Sequence, residues 1–79
     1  MLELRPNCEQ CNTNLPPDSL LARICSFECT FCQPCTDHFL HGTCPNCKGE
    51  LLRRPVRPAR ALANHPASID RVFKPQARA

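Results

Sequence analysis

Tryptophan and tyrosine are absent from this 79-residue chain, four phenylalanines make up its aromatic content, and only two glycines occur. Each shortage excludes something. Without Trp or Tyr there are few platforms on which nucleobases could stack. Gly42 and Gly49 alone cannot build a glycine-rich phosphate loop. No apolar run approaches the roughly 18 residues needed to span a bilayer. Met1-Leu2-Glu3-Leu4-Arg5-Pro6 has neither the charged leader nor the apolar stretch of an export signal, so the expected location is the cytoplasm, where thiols stay reduced. Asp18, Ser19 and His38 form no pattern for nucleophilic catalysis, and no enzymatic activity is expected. Apolar mass is also short: the chain is one domain at most, and something other than a large core must hold it together.

Cysteine is what the chain has in its place. Eight cysteines fall into four close pairs, Cys8/Cys11, Cys25/Cys29, Cys32/Cys35 and Cys44/Cys47, with none left over. A C-x2-C turn brings two sulfurs near enough to share one zinc at about 2.3 Å, and a tetrahedral shell closes with two such turns. The eight thiols therefore suit two closed zinc sites, worth on the order of 10–16 kcal/mol of folding energy apiece. Disulfides are the alternative for a small secreted chain, which the amino end does not suggest. Cys29-x2-Cys32-x2-Cys35 starts like a ferredoxin cluster run but lacks the fourth cysteine three residues on. His38 and His41 could stand in for a thiol; with eight thiols present they are expected on the surface.

Charge divides the chain. Residues 1–49 carry three Lys/Arg against five Asp/Glu, and residues 50–79 carry seven against two. The formal net charge of +3 treats every cysteine as neutral; eight thiolates on two divalent ions bring the loaded protein to about −1. An acidic metal module is thus followed by a basic, proline-rich tail, with the division placed at residues 1–52 and 53–79.

Local signals place the elements. Pro16-Pro17-Asp18-Ser19 is a turn, and Leu20–Ile24 reads as a short strand pairing with the stretch from Phe27 to Phe31. Pro34 in a first turn and Gly42 past the end bracket a short helix, with Phe39 and Leu40 facing inward. Cys44-Pro45-Asn46-Cys47-Lys48-Gly49 has the form of a zinc knuckle, in which backbone N–H groups bond sulfur and the glycine supplies positive φ. In the tail, Arg53-Arg54-Pro55-Val56-Arg57-Pro58 should run extended. Residues 59–64 should make a turn or two of helix, and 67–73 another, capped by Ser68 with Ile69, Val72 and Phe73 on one side.

The ligand order resembles that of RING-type cross-brace domains over residues 8 to 49. Cys25-Ser26-Phe27-Glu28-Cys29-Thr30-Phe31-Cys32 matches the RING middle, including an aromatic just before the fifth ligand, and Pro45 matches the proline between the last two. The resemblance implies a small α+β treble-clef fold with interleaved sites: Cys8, Cys11, Cys32 and Cys35 on one zinc, and Cys25, Cys29, Cys44 and Cys47 on the other. Ligase RINGs place an apolar residue directly after the first ligand, where this chain has Glu9, so ubiquitin-ligase activity is not expected from the likeness. The chain is still more similar to a family of small bacterial proteins of unknown function, which share Ile24-Cys25-Ser26-Phe27-Glu28-Cys29-Thr30-Phe31-Cys32 and Arg53-Arg54-Pro55-Val56-Arg57-Pro58. That similarity implies no activity.

Three functions compete. The first is a structural zinc module that binds another protein, through its tail if the tail is free or through another surface if the tail wraps the module. The second is nucleic-acid binding through Arg53, Arg54, Arg57 and Arg60, with steep salt dependence. The third is thiol redox chemistry coupled to zinc release.

Overall fold

The computed structural model describes residues 2–74. Arg78, counted above with the basic tail, lies outside them. The order of elements is β1 (Ala22–Ile24), β2 (Thr30–Cys32), α1 (Gln33–His38), β3 (Leu52–Arg53) and α2 (Ala59–Leu62). The strands form one antiparallel sheet in the order β2-β1-β3, with Arg23 opposite Phe31 on one side and Arg53 on the other. The protein is a small α+β unit whose core is built largely of cysteine: Cys8, Cys25, Cys32 and Cys44 are buried with Leu15, Ala22, Phe31 and Leu51.

The hairpin forms where the sequence puts it but is tighter. Leu20 and Leu21 lie outside the strand and are exposed, and the partner strand begins at Thr30. Its turn holds Cys25, whose N–H bonds the Cys29 carbonyl at 3.1 Å, and places Glu28 at φ 68°. α1 starts directly from β2 with a proline in its first turn and stops at His38. The exit is made by His41 and Gly42, both at positive φ, and the Gly42 N–H returns to the Thr36 carbonyl at 2.9 Å. Leu40 packs against the core, Phe39 is half-buried, and His38 and His41 are exposed.

The strand β3 follows from position rather than pattern. Leu51 is buried and its N–H bonds the Gly42 carbonyl at 3.0 Å, which delivers Leu52 and Arg53 to the free side of β1. Beyond it the chain runs extended to α2, as the prolines require. Residues 67–73 are not helical, contrary to the sequence expectation. Two of their N–H groups bond the amino-terminal segment: Ser68 donates to the Leu4 carbonyl at 3.0 Å and Val72 to Asn7 Oδ1 at 3.3 Å. Ser68 Oγ accepts from the Asp70 N–H, as a cap would, but the expected stripe does not form. Ile69 is 89% exposed, Phe73 is exposed and Val72 is half-buried.

Candidate metal centre

The first cluster gathers Cys8, Cys11, Cys32 and Cys35, whose four sulfurs all lie within 4.8 Å of one another. Cys11 and Cys32, 21 residues apart, bring their sulfurs to 3.6 Å. Sulfurs at 2.3 Å from a central tetrahedral ion stand about 3.8 Å apart, so the spacing suits such an ion. The second cluster gathers Cys25, Cys44 and Cys47 on the same criterion. Cys29 is outside this set, and the Asn46 side-chain amide donates to its sulfur at 3.5 Å. Of the residues that the RING likeness divides between two ions, the structure thus assembles four of one group and three of the other.

Two knuckles of one design present the first and last pairs. Cys8 N–H bonds the Thr13 carbonyl and Asn12 N–H the Cys8 carbonyl; Cys44 N–H bonds the Gly49 carbonyl and Lys48 N–H the Cys44 carbonyl. Each turn is closed by an isolated bridge, Asn7 with Asn14 and Thr43 with Glu50. The positive φ falls on the residue after the second cysteine, Asn12 and Lys48, both at 65°. The expectation that Gly49 takes it is therefore corrected. Gly49 is needed for proximity: a Cβ there would sit 3.2 Å from Cys47 Sγ, where its N–H now donates at 3.4 Å. Cys32 and Cys35 are positioned by the end of β2 and the first turn of α1.

The thiols divide by environment. Burial pushes Cys32 up to about 11 and Cys44 up to about 12. Burial and the neighbouring sulfurs raise Cys35 further. Burial also acts on Cys11, but the Thr13 hydroxyl at 3.0 Å and the Thr13 N–H outweigh it and bring that thiol down to about 7. The Gly49 N–H lowers Cys47. A divalent ion entering either cluster at neutral pH must displace protons, which makes affinity rise with pH.

Residues without any cysteine-like signal hold the first cluster in place. Glu9 is buried directly after the first ligand position and accepts from the Thr30 N–H at 2.7 Å and from Arg5 Nη1 at 2.7 Å. Its own N–H donates to the Thr30 carbonyl at 2.9 Å, so the first knuckle zips onto the outer edge of β2. Burial works against the Arg5 charge, but Glu9 and Glu3 more than offset it and hold the guanidinium well above its ordinary value. Arg54 is 1% exposed. It donates from Nη1 to the Arg5 carbonyl at 2.9 Å and from Nη2 to the Leu15 and Pro16 carbonyls at 3.4 and 3.0 Å. Among the described residues no carboxylate forms an ion pair with it, and burial lowers its pKa. Arg57 bonds the Leu2 carbonyl at 2.7 Å, and Arg71 bonds the Asn12 carbonyl and side chain at 3.0 and 2.9 Å. Asn7, wholly buried, reaches the Val72 carbonyl at 2.8 Å. The described tail is strapped across the first knuckle.

Fold and clusters together define a small α+β protein with two cysteine groups that could hold metal ions. The chain belongs to the family described as Protein of unknown function (DUF1272), whose model matches residues 1–57, a span that takes in both Arg54 and Arg57. An uncharacterized protein of Rhizobium meliloti (strain 1021) is 66% identical over 76 residues, covering 96% of this chain and 90% of that one. No solved structure matches the chain. Among the described residues no helix is long and apolar enough to cross a membrane.

Proposed function

We propose that this protein is a non-catalytic zinc module of the cytoplasm that binds another protein, with two structural zinc ions in a RING-like cross-brace. Cys8, Cys11, Cys32 and Cys35 take one ion, and Cys25, Cys29, Cys44 and Cys47 take the other. The observation that carries the proposal is the convergence of four sulfurs from two distant segments at a spacing that suits tetrahedral zinc. Eight thiols for two ions leave no position for a substrate in the fully ligated state, which supports a structural role over catalysis.

The protein-binding part of the proposal is supported by what the fold leaves outside. Leu20, Leu21, Phe27, Leu52 and Val56 are exposed, and large exposed apolar side chains mark interaction surfaces when they cluster. The ligase-type surface is poorly represented, since Glu9, which stands where a ligase RING has an apolar residue, is buried. Of the four arginines offered for nucleic acid, Arg54 and Arg57 are spent on carbonyls within the fold, which weighs against that use. Native mass spectrometry of protein purified under reducing conditions tests the metal assignment, with two zinc ions per chain expected. Cobalt substitution should give the intense thiolate-to-metal absorption of four-sulfur sites. One ion or none, with disulfides in their place, would overturn the proposal.

A further inference from the structure

The four thiols of the second site are not equivalent. Cys25, Cys44 and Cys47 stand within 4.8 Å of one another and Cys29 does not join them. Backbone hydrogen bonding divides them the same way. Cys25 Sγ receives the Phe27 N–H at 3.3 Å and Cys47 Sγ the Gly49 N–H at 3.4 Å. Such charge-assisted bonds stabilise a thiolate and fix its direction. Among the described residues the Cys29 sulfur accepts instead from the side-chain amide of the exposed Asn46, at 3.5 Å. Chain geometry contributes: Cys25 and Cys29 are separated by three residues where the other pairs are separated by two, and the backbone bond from Cys25 N–H to the Cys29 carbonyl fixes the main chain without directing the Cys29 sulfur.

We infer that Cys29 is the exchangeable ligand of the second site: three thiolates retain that ion, and an external thiol can replace Cys29 as the fourth donor. The exchange is a ligand substitution with no redox change. A metal–sulfur bond to the incoming thiolate forms as the bond to Cys29 breaks, and the proton of the incoming thiol passes to the Cys29 sulfur or to buffer. Cys29 is half-buried with the exposed Asn46 on its sulfur; Cys11 of the first site is exposed, but it stands within a complete four-sulfur set. At the first site the tail and the Glu9 contacts flank the knuckle. The protein would then hold one ion permanently and offer the other to thiol acceptors. The inference rests on the two-site zinc reading above.

The test follows zinc transfer from the full chain to the chromogenic chelator 4-(2-pyridylazo)resorcinol, with metal content by native mass spectrometry. Wild type should carry two ions and release them in two phases, the faster at least tenfold quicker and accelerated in proportion to added glutathione. Cys29→Ser should keep two ions and a native circular dichroism spectrum. Cys47→Ser should keep one ion and lose the fast phase. Fewer than two ions in wild type would overturn the two-site reading and this inference with it. Two ions in wild type with a single release rate, or loss of an ion or of the fold in Cys29→Ser, would leave the two-site reading standing and overturn the inference alone.

Discussion

The two cysteine clusters start from nearly the same knuckle and end in different surroundings. The first, on Cys8 and Cys11, is zipped to β2 by Glu9 and crossed by a tail that reaches it through Arg54, Arg71 and Val72. The second, on Cys44 and Cys47, has a glycine against one sulfur and a fourth cysteine set aside. One turn design, repeated, is therefore made rigid in one place and left open in another. The difference comes from residues outside the metal shell. Asn12 and Lys48 adopt the same φ, but Asn12 also receives the Arg71 guanidinium on its carbonyl and side chain.

The largest break in this comparison should come from Cys32→Ser. Its sulfur ties the knuckle to the strand–helix junction, and a structural ion is worth on the order of 10 kcal/mol of folding energy. The expected result is loss of native circular dichroism; a variant that keeps its spectrum and both ions would refute the cross-brace. Next is Arg54→Ala, which strands three carbonyls that the guanidinium now satisfies. A cost of about 3 kcal/mol is expected from lost charged hydrogen bonds, read as a lower denaturant midpoint of the metal-loaded protein. Truncation after Leu52 should cost at least as much, because it removes Arg54 and Arg57 together, and it should spare the metal of the second cluster.

A pH comparison sharpens the contrast further. Cys32 at about 11 and Cys44 at about 12 are protonated at neutral pH, so metal must displace their protons, and chelator competition should show affinity rising with pH at both sites. Cys11, at about 7, is largely ionised above that value and protonated below it. As pH falls from 8 to 6 it takes up a further proton in the metal-free protein, so the pH dependence of affinity at the first site should itself steepen by about one proton across that window. The smallest effect is expected from Gly49→Ala. Its Cβ would press on Cys47 Sγ at 3.2 Å, a strain of roughly 1 kcal/mol for a mild overpacking. It should weaken the second metal selectively. An equal loss at the first site would mean that the clusters are coupled.

How much of this was legible in the sequence depends on whether a residue acts through spacing or through burial. The cysteine pairs, the turn at Pro16–Pro17, the hairpin and α1 with Pro34 in its first turn are all spacing signals, and they appear where expected. Glu9, Asn7 and Arg54 are buried polar residues whose partners are carbonyls and amides far along the chain. A charged residue in a basic, proline-rich run carries no mark that it will turn inward, and in sequence Arg54 is one of a cluster of arginines. Residues 67–73 have helical apolar spacing, but seven residues make a marginal helix, and the open N–H and C=O groups of the amino-terminal segment compete for the same backbone. The Gly49 expectation failed differently. Glycine is required there, but by a sulfur in contact and not by a torsion angle.

The Arg54 clamp also orders events in time. Its three carbonyl partners belong to Arg5, Leu15 and Pro16, all made long before it. The four thiols of the first cluster are complete in the growing chain at Cys35, nineteen residues before Arg54. At synthesis rates of about 5–20 residues per second that gap lasts roughly 1–4 s. The arginine that locks the amino-terminal segment is thus added to the chain only after every thiol of the first cluster has been made.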